Sequence, residues 1–326
     1  MAPLDILSRP QPTDVPKFRV AYGSDPNQFG DLWLPPAAGR QLPAASEGQK
    51  QNLTADKSQS RSDQSAAKGQ EPKAKSEALF PIVMNIHGGF WRNKYDLLHA
   101  SHLCAALARA GVAVWNLEYR RVGDAGGAWP GTFEDITSGW RFLRQLAARH
   151  PLDLDRAAAM GHSAGGHLAV ALAGHLPPRQ ATATQGDKSR SLAGKAPLGM
   201  TNDNGAPALR GVVSLGGVLD LERAWELHLS NDAVVEFLGG TPDKMRDHYR
   251  EADPMHLSVR CPQVLIHGEK DDTVPIEISR TYHKAKRARG ERVRLEETPT
   301  GHYELIDPET PEWKVVVKAV KAVVSR

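Results

Sequence analysis

Cysteine is nearly absent: Cys104 and Cys261 are the two in 326 residues. Two thiols cannot build a disulfide framework, which excludes the small stapled secreted folds and fits a reducing compartment. No run of 18 apolar residues occurs, so no transmembrane helix and no membrane partner are expected. The stretch from Met1 to Pro10 lacks a basic region followed by an apolar one, so no signal peptide is expected and a cytoplasmic location is the default. Charge of one sign is also lacking. Lys and Arg number 41 against 38 Asp and Glu, a net +3. Residues 39–77, with seven Lys/Arg and five Asp/Glu, carry most of that excess. The remainder is near neutral, which excludes a general polyanion-binding surface, so no nucleic-acid partner is expected. No H-E-x-x-H occurs, and His162 and His167 lack metal-ligand spacing on a helix, so no metal and no other cofactor are expected.

Mean hydropathy is −0.45, low for a chain that is 40% hydrophobic. The cause is local. Residues 39–77 hold no Ile, Val, Met, Cys or aromatic residue, and residues 178–208 no Ile, Val or aromatic residue. Such stretches cannot repay the entropy of ordering, so both read as polar, flexible insertions. Without them about 250 residues remain, the size of one large α/β domain, and the whole of 1–326 is expected to be a single domain of that class.

The rest alternates between two periods. Residues 17–22 and 28–34 read as two short strands around a turn at 23–27. Apolar runs at 81–86, 112–117, 211–215 and 263–267 read as strands buried on both faces, 157–160 as a weak strand and 292–295 as the last. Helices are expected over 95–110, closed by Gly111, and from Thr132, where Phe133, Ile136, Trp140, Leu143 and Ala147 share a face. Further helices are expected from Ala164, from Pro275, and at the C-terminus, where Trp313, Val316, Val317, Val320 and Val324 share a face. The basic run from Lys284 to Arg289 reads as a solvated face of the helix from Pro275. Strands alternating with helices imply an α/β fold, a mostly parallel central sheet with helices on both faces. In such sheets chemistry gathers at the carboxyl ends of the strands.

The unusual residues stand at those ends. Gly161-His162-Ser163-Ala164-Gly165 fits G-x-S-x-G between a strand and a helix, where a serine sits on a sharp turn with its hydroxyl exposed. His87-Gly88-Gly89-Phe90-Trp91 follows the strand at 81–86. Its glycines let backbone N–H groups approach an oxyanion without burying a charged side chain. After the strand at 263–267, Asp271 and Asp272 could each accept the Nδ1–H of a histidine. Asp272 suits the cap of the helix from Pro275, so Asp271 is assigned to catalysis. His302, after the last strand, is the histidine that follows both nucleophile and acid at a strand end. The order Ser163, Asp271, His302 runs nucleophile, acid, base. Glu118-Tyr119-Arg120-Arg121 could border the pocket or form an ion-pair network, and Trp91 and Trp129 are candidates to line an acyl or aryl pocket, although core or rim packing is the more frequent role for tryptophan.

With these motifs the chain resembles the α/β-hydrolase superfamily of esterases and lipases. More closely it resembles the branch with an H-G-G-x-W motif that includes kynurenine formamidases (arylformamidases) and small carboxylesterases of the feruloyl and acetyl-xylan esterase-like group. The residues that carry the likeness are 87–91, 118–120, 161–167, 267–268 with Asp271, and 301–302. The resemblance implies an oxyanion hole formed by the N–H groups of Gly89, Phe90 and Ala164. It further implies a serine hydrolase acting on a small-molecule substrate: a carboxylic ester first, N-formylkynurenine as the alternative, with a non-catalytic binding role less favoured.

Overall fold

The computed structural model describes Ile6 and residues 9–36, 78–177 and 206–325. Eight strands form one sheet: β1 (Lys17–Ala21), β2 (Phe29–Trp33), β3 (Phe80–Ile86), β4 (Ala113–Leu117), β5 (Leu152–His162), β6 (Val212–Leu215), β7 (Gln263–Gly268) and β8 (Val293–Thr298). Their spatial order is β1-β2-β4-β3-β5-β6-β7-β8. β1 and β2 pair antiparallel, as do β2 and β4, and every other pair is parallel. The expected α/β fold with a mostly parallel sheet is the fold observed.

Alternation along the strands builds two cores. In β3 and β4, Ile82, Met84, Ile86, Ala113, Trp115 and Leu117 face one layer. Val83 and Val114, between them in sequence, face the other. The first layer holds α2 (Gly131–Ala147) and α3 (Ala164–His175), and the second holds α1 (Ser101–Arg109) and α8 (Trp313–Val324). α3 is buried almost all round, which its Ala- and Gly-rich sequence permits.

Three features depart from expectation. The weak strand at 157–160 is the centre of the eleven-residue β5; small alanines suit a strand squeezed between two helical layers. The chain from 216 to 262, read without elements, holds three short helices: α4 (Leu221–Glu226), α5 (Ala233–Leu238) and α6 (Arg246–Ala252). Each is under two turns, too short to print an amphipathic period. On α7 (Glu277–Ala288), Lys286 is wholly buried rather than solvated. Its ammonium donates to the carbonyls of Met255 and Leu257 and lies 3.6 Å from Glu291.

The insertion read at 39–77 lies outside the described residues, as does 178–205. The last residues of the second insertion are described, and they dock: Pro207 is buried and its carbonyl accepts from Trp140 Nε1 at 3.0 Å. Among the described residues no helix is long and apolar enough to cross a membrane.

Candidate active site

The strand order reverses at β3. The chain steps from β3 to β4 on one side, and β5 then pairs on the other. A crevice opens at such a reversal, beyond the carboxyl ends of the strands. β3 delivers His87-Gly88-Gly89 to it and β5 delivers Ser163, in register because Ile86 lies opposite Gly161. β7 and β8, with Gly268 opposite Thr298, bring Asp271 and His302 to the same edge.

Ser163 has φ 56° and ψ −122°, a conformation that costs an L-residue strain. Its surroundings hold it there. Its N–H donates to Leu215 O at 2.8 Å, and α3 begins at the next residue. A Cβ on Gly165 would sit 2.0 Å from Ile86 O, so only glycine lets α3 start this close to β3. A Cβ on Gly88 would lie 2.8 Å from His162 O and 3.0 Å from Ser163 Cβ; the two turns touch because that position is bare. The N–H of Ala164 opens α3 and has no acceptor one turn back within the helix.

The turn after β3 is unusual throughout: Gly89, Phe90 and Trp91 all have positive φ, at 113°, 49° and 59°. Buried side chains pin it from behind. His87 Nε2 donates to Glu118 Oε1 at 3.0 Å, and the His87 ring stacks on Tyr119 at 4.4 Å. Tyr119 Oη donates to His87 O at 2.8 Å. Glu118 also accepts from Leu97 N and Tyr119 N and pairs with Arg121. Burial works against this carboxylate, but His87, Arg121 and the Tyr119 N–H hold its pKa below the usual range. Of the two readings of residues 118–121, the ion-pair network is the one observed.

His302 Nδ1 lies 2.6 Å from Asp271 Oδ2, with both side chains buried. Asp271 Oδ1 accepts from Thr273 N at 3.0 Å and Val274 N at 2.8 Å. His267 adds a donor: its Nδ1 accepts from Ser279 Oγ, while its Nε2 donates to Val274 O and stands 3.2 Å from Asp271 Oδ2. Burial alone would raise the Asp271 pKa, but the hydrogen bonds from His267 and His302 outweigh it and hold the carboxyl well below the carboxylate range. Asp272 is exposed and accepts from Thr273 Oγ1. Behind His302, His162 Nε2 donates to the His302 carbonyl at 3.0 Å. Burial keeps His162 neutral, as it does His99, whose pKa is lowered to about 3.

Ser163 and His302 line one cavity of about 330 Å³, together with Gly89, Phe90, Tyr95, His99 and Tyr303. Trp91 and Trp129, the candidate pocket residues, are not among its lining. Trp91 is wholly buried, stacked on Phe237 at 4.7 Å and donating from Nε1 to His167 Nδ1. Trp129 packs on Phe133 and Phe237 in the layer beneath. The positive φ of Phe90 and Trp91 turns Phe90 to the cavity and Trp91 to the core. The walls contributed by Tyr95, His99 and Tyr303 escaped the sequence analysis, as did the part of His267. Tyr95 and Tyr303 stand close to the motifs in sequence but carry no pattern of their own. A second cavity of about 370 Å³, bordered by Arg210, Arg260 and Arg292, opens at the amino ends of β6 to β8. Its nucleophile candidate is Cys261, which burial keeps a thiol by pushing its pKa up to about 12. Among the described residues no cluster of His, Cys, Asp or Glu could hold a metal ion.

The chain as a whole has counterparts among known proteins. The BD-FAE family model matches residues 70–285, a span that holds the His87 turn, Ser163 and Asp271. The chain belongs to the BD-FAE family. Esterase LipC and esterase LipQ of Mycobacterium tuberculosis are 26% and 25% identical to this family member over 241 and 252 residues, covering 70% and 74% of it. The matched region spans 54% of each of those proteins, so the chain corresponds to about half the length of these curated relatives. Among solved structures, esterase B from Lactobacillus rhamnosis superposes with a TM-score of 0.69 at 19% identity, covering 99% of this chain and 90% of that one. That likeness establishes the shared α/β-hydrolase fold.

Proposed function

We propose that the protein is a serine hydrolase that cleaves small carboxylic esters through an acyl-enzyme. The observation that carries this reading is the 2.6 Å bond from His302 Nδ1 to buried Asp271, on the rim of a cavity that Ser163 also lines. With Nδ1 committed to Asp271, His302 keeps Nε2 free to accept the Ser163 proton. Ser163 Oγ attacks the ester carbonyl. The N–H groups of Gly89, Phe90 and Ala164 take the oxyanion, and His302 returns its proton to the leaving alkoxide. Water, deprotonated by His302, then releases the acid. Names of relatives support an ester rather than a formamide substrate, and no observation favours N-formylkynurenine.

The test is labelling and turnover together. A fluorophosphonate should modify the parent at Ser163 and leave Ser163→Ala untouched. The parent should hydrolyse p-nitrophenyl acetate or butyrate, and Ser163→Ala should lose at least about 10³-fold in kcat. EDTA should change neither result. Turnover that survives in folded Ser163→Ala, or that chelator abolishes and zinc restores, would overturn the mechanism.

A further inference from the structure

Arg92 stands two residues beyond Phe90 and belongs to the same turn: its N–H donates to Gly89 O at 3.1 Å. Its side chain leaves the turn altogether. Nε donates to Glu236 Oε2 at 2.6 Å, Nη1 to Ser230 Oγ at 3.0 Å and Nη2 to Asn231 O at 3.3 Å. Ser230 and Asn231 form the wall of the cavity contributed by the loop before α5. That loop is strained. His228, Ser230, Asn231 and Asp232 all have positive φ, between 49° and 58°. His, Asn and Asp tolerate that region better than other side chains, so Ser230, whose Oγ accepts from Arg92, is the residue there that most needs a neighbour to hold it. Glu236, on α5, lies outside the cavity lining and is half exposed, so its part is to hold the guanidinium rather than to meet substrate.

On the esterase reading, we propose that Arg92 is a positioning residue that sets which ester lengths the cavity accepts. Its guanidinium fixes the Ser230–Asn231 wall at a set separation from the Gly89–Phe90 turn, and so limits the arm that fits between them. Loosening the strap lets the wall retreat. Short esters then lose contact, and long esters lose an obstruction.

The test compares the parent with Arg92→Ala, Arg92→Lys and Glu236→Gln on p-nitrophenyl acetate, butyrate and octanoate. Circular dichroism and Tm establish that each variant is folded. In Arg92→Ala the ratio of kcat/KM for butyrate over octanoate should fall by about threefold to tenfold, as a multidentate, partly exposed ion pair can support. The change should sit chiefly in KM, with the shape of the pH profile unaltered. Glu236→Gln, which lies outside the cavity lining and reaches it through Arg92, itself a lining residue, should shift the ratio in the same direction by less, and Arg92→Lys should restore part of it. A ratio within about twofold of parent in folded Arg92→Ala, or no fall at all in Glu236→Gln, overturns the proposal. So does an equal loss of kcat on all three esters, which would make Arg92 a support of the oxyanion turn alone. If Arg92→Ala does not fold, Glu236→Gln decides. A parent that neither turns over any ester nor takes the fluorophosphonate label refutes the esterase reading, and this proposal with it. An active, labelled parent with an unmoved ratio refutes this proposal only.

Discussion

Replacing Asp271 with Asn tests the site at a buried bond, and the structure dictates how the amide must sit. Asp271 Oδ1 faces two N–H donors, those of Thr273 and Val274, so the amide oxygen must take that place. The amide NH₂ then occupies the Oδ2 position, 2.6 Å from His302 Nδ1. Two donors cannot face each other. His302 escapes by moving its proton to Nε2, the nitrogen that must accept from Ser163. The variant is thus held in the wrong tautomer and also loses the charge that stabilises imidazolium. Together these should lower kcat by about 10⁴-fold, with the fold intact. Asp272→Asn changes an exposed group whose described bond is to Thr273 Oγ1, and should stay within about twofold of parent. The assay is kcat on p-nitrophenyl acetate. A folded Asp271→Asn that keeps more than about a tenth of parental turnover, or a greater loss in Asp272→Asn, would refute the assignment. Stability gives a second readout. Because the folded state holds the Asp271 pKa below its unfolded value, its contribution is present above the unfolded pKa and lost as pH falls through the folded one. The Tm deficit of Asp271→Asn should therefore be largest near neutral pH and close in acid.

Other expectations rest on separate features. Gly165→Ala should destabilise the fold by about 3 kcal/mol in denaturant unfolding, because its Cβ would meet Ile86 O at 2.0 Å and backbone must move; an unchanged midpoint would show that α3 shifts freely. Lys286→Ala should cost on the order of 3 kcal/mol by leaving the Leu257 carbonyl and Glu291 without that cation, while Arg289 still donates to Met255 O and active-site titration of the folded fraction stays at parental level. Burial lifts the Asp253 pKa up to about 7 against three N–H donors. A raised carboxyl stabilises most below its unfolded pKa and loses that contribution as pH rises towards 7. Tm of the parent, measured relative to Asp253→Asn, should thus fall between pH 4.5 and 7.5, and a relative rise would show that the buried carboxylate is held ionised.

The strand-end motifs were legible because each is a local backbone demand. The turn at Ser163 needs bare positions at Gly161 and Gly165, and the turn at Gly89 needs a bare Gly88, and such demands are written in residue type at fixed spacing. Asp271 is the carboxylate that meets His302 Nδ1, but the cap expected of Asp272 is not formed: Ile276 precedes α7 and makes no side-chain cap bond, while Asp272 accepts from Thr273 Oγ1. Strands β3, β4 and β7 were legible as apolar runs, because a strand covered on both faces has no polar side.

What sequence could not reach depended on partners distant along the chain. Sequence leaves Trp91 between pocket and core, and Phe237 and His167, 146 and 76 residues away, are what take it into the core. Lys286 reads as solvated until the carbonyls of Met255 and Leu257 close over it. The helices at 221–252 are held by packing rather than by their own periodicity, and with them comes the wall that Arg92 holds. Sequence alone singled out the candidates for that chemistry, since a nucleophile, an acid, a base and a turn for an oxyanion each require a residue type at a strand end. Tertiary structure alone decided the strand order that sets β5 beside β3, and hence that Ser163 meets the His87 turn. It also decided which side chains meet the cavity, because burial is a property of the assembled layers and of no single segment.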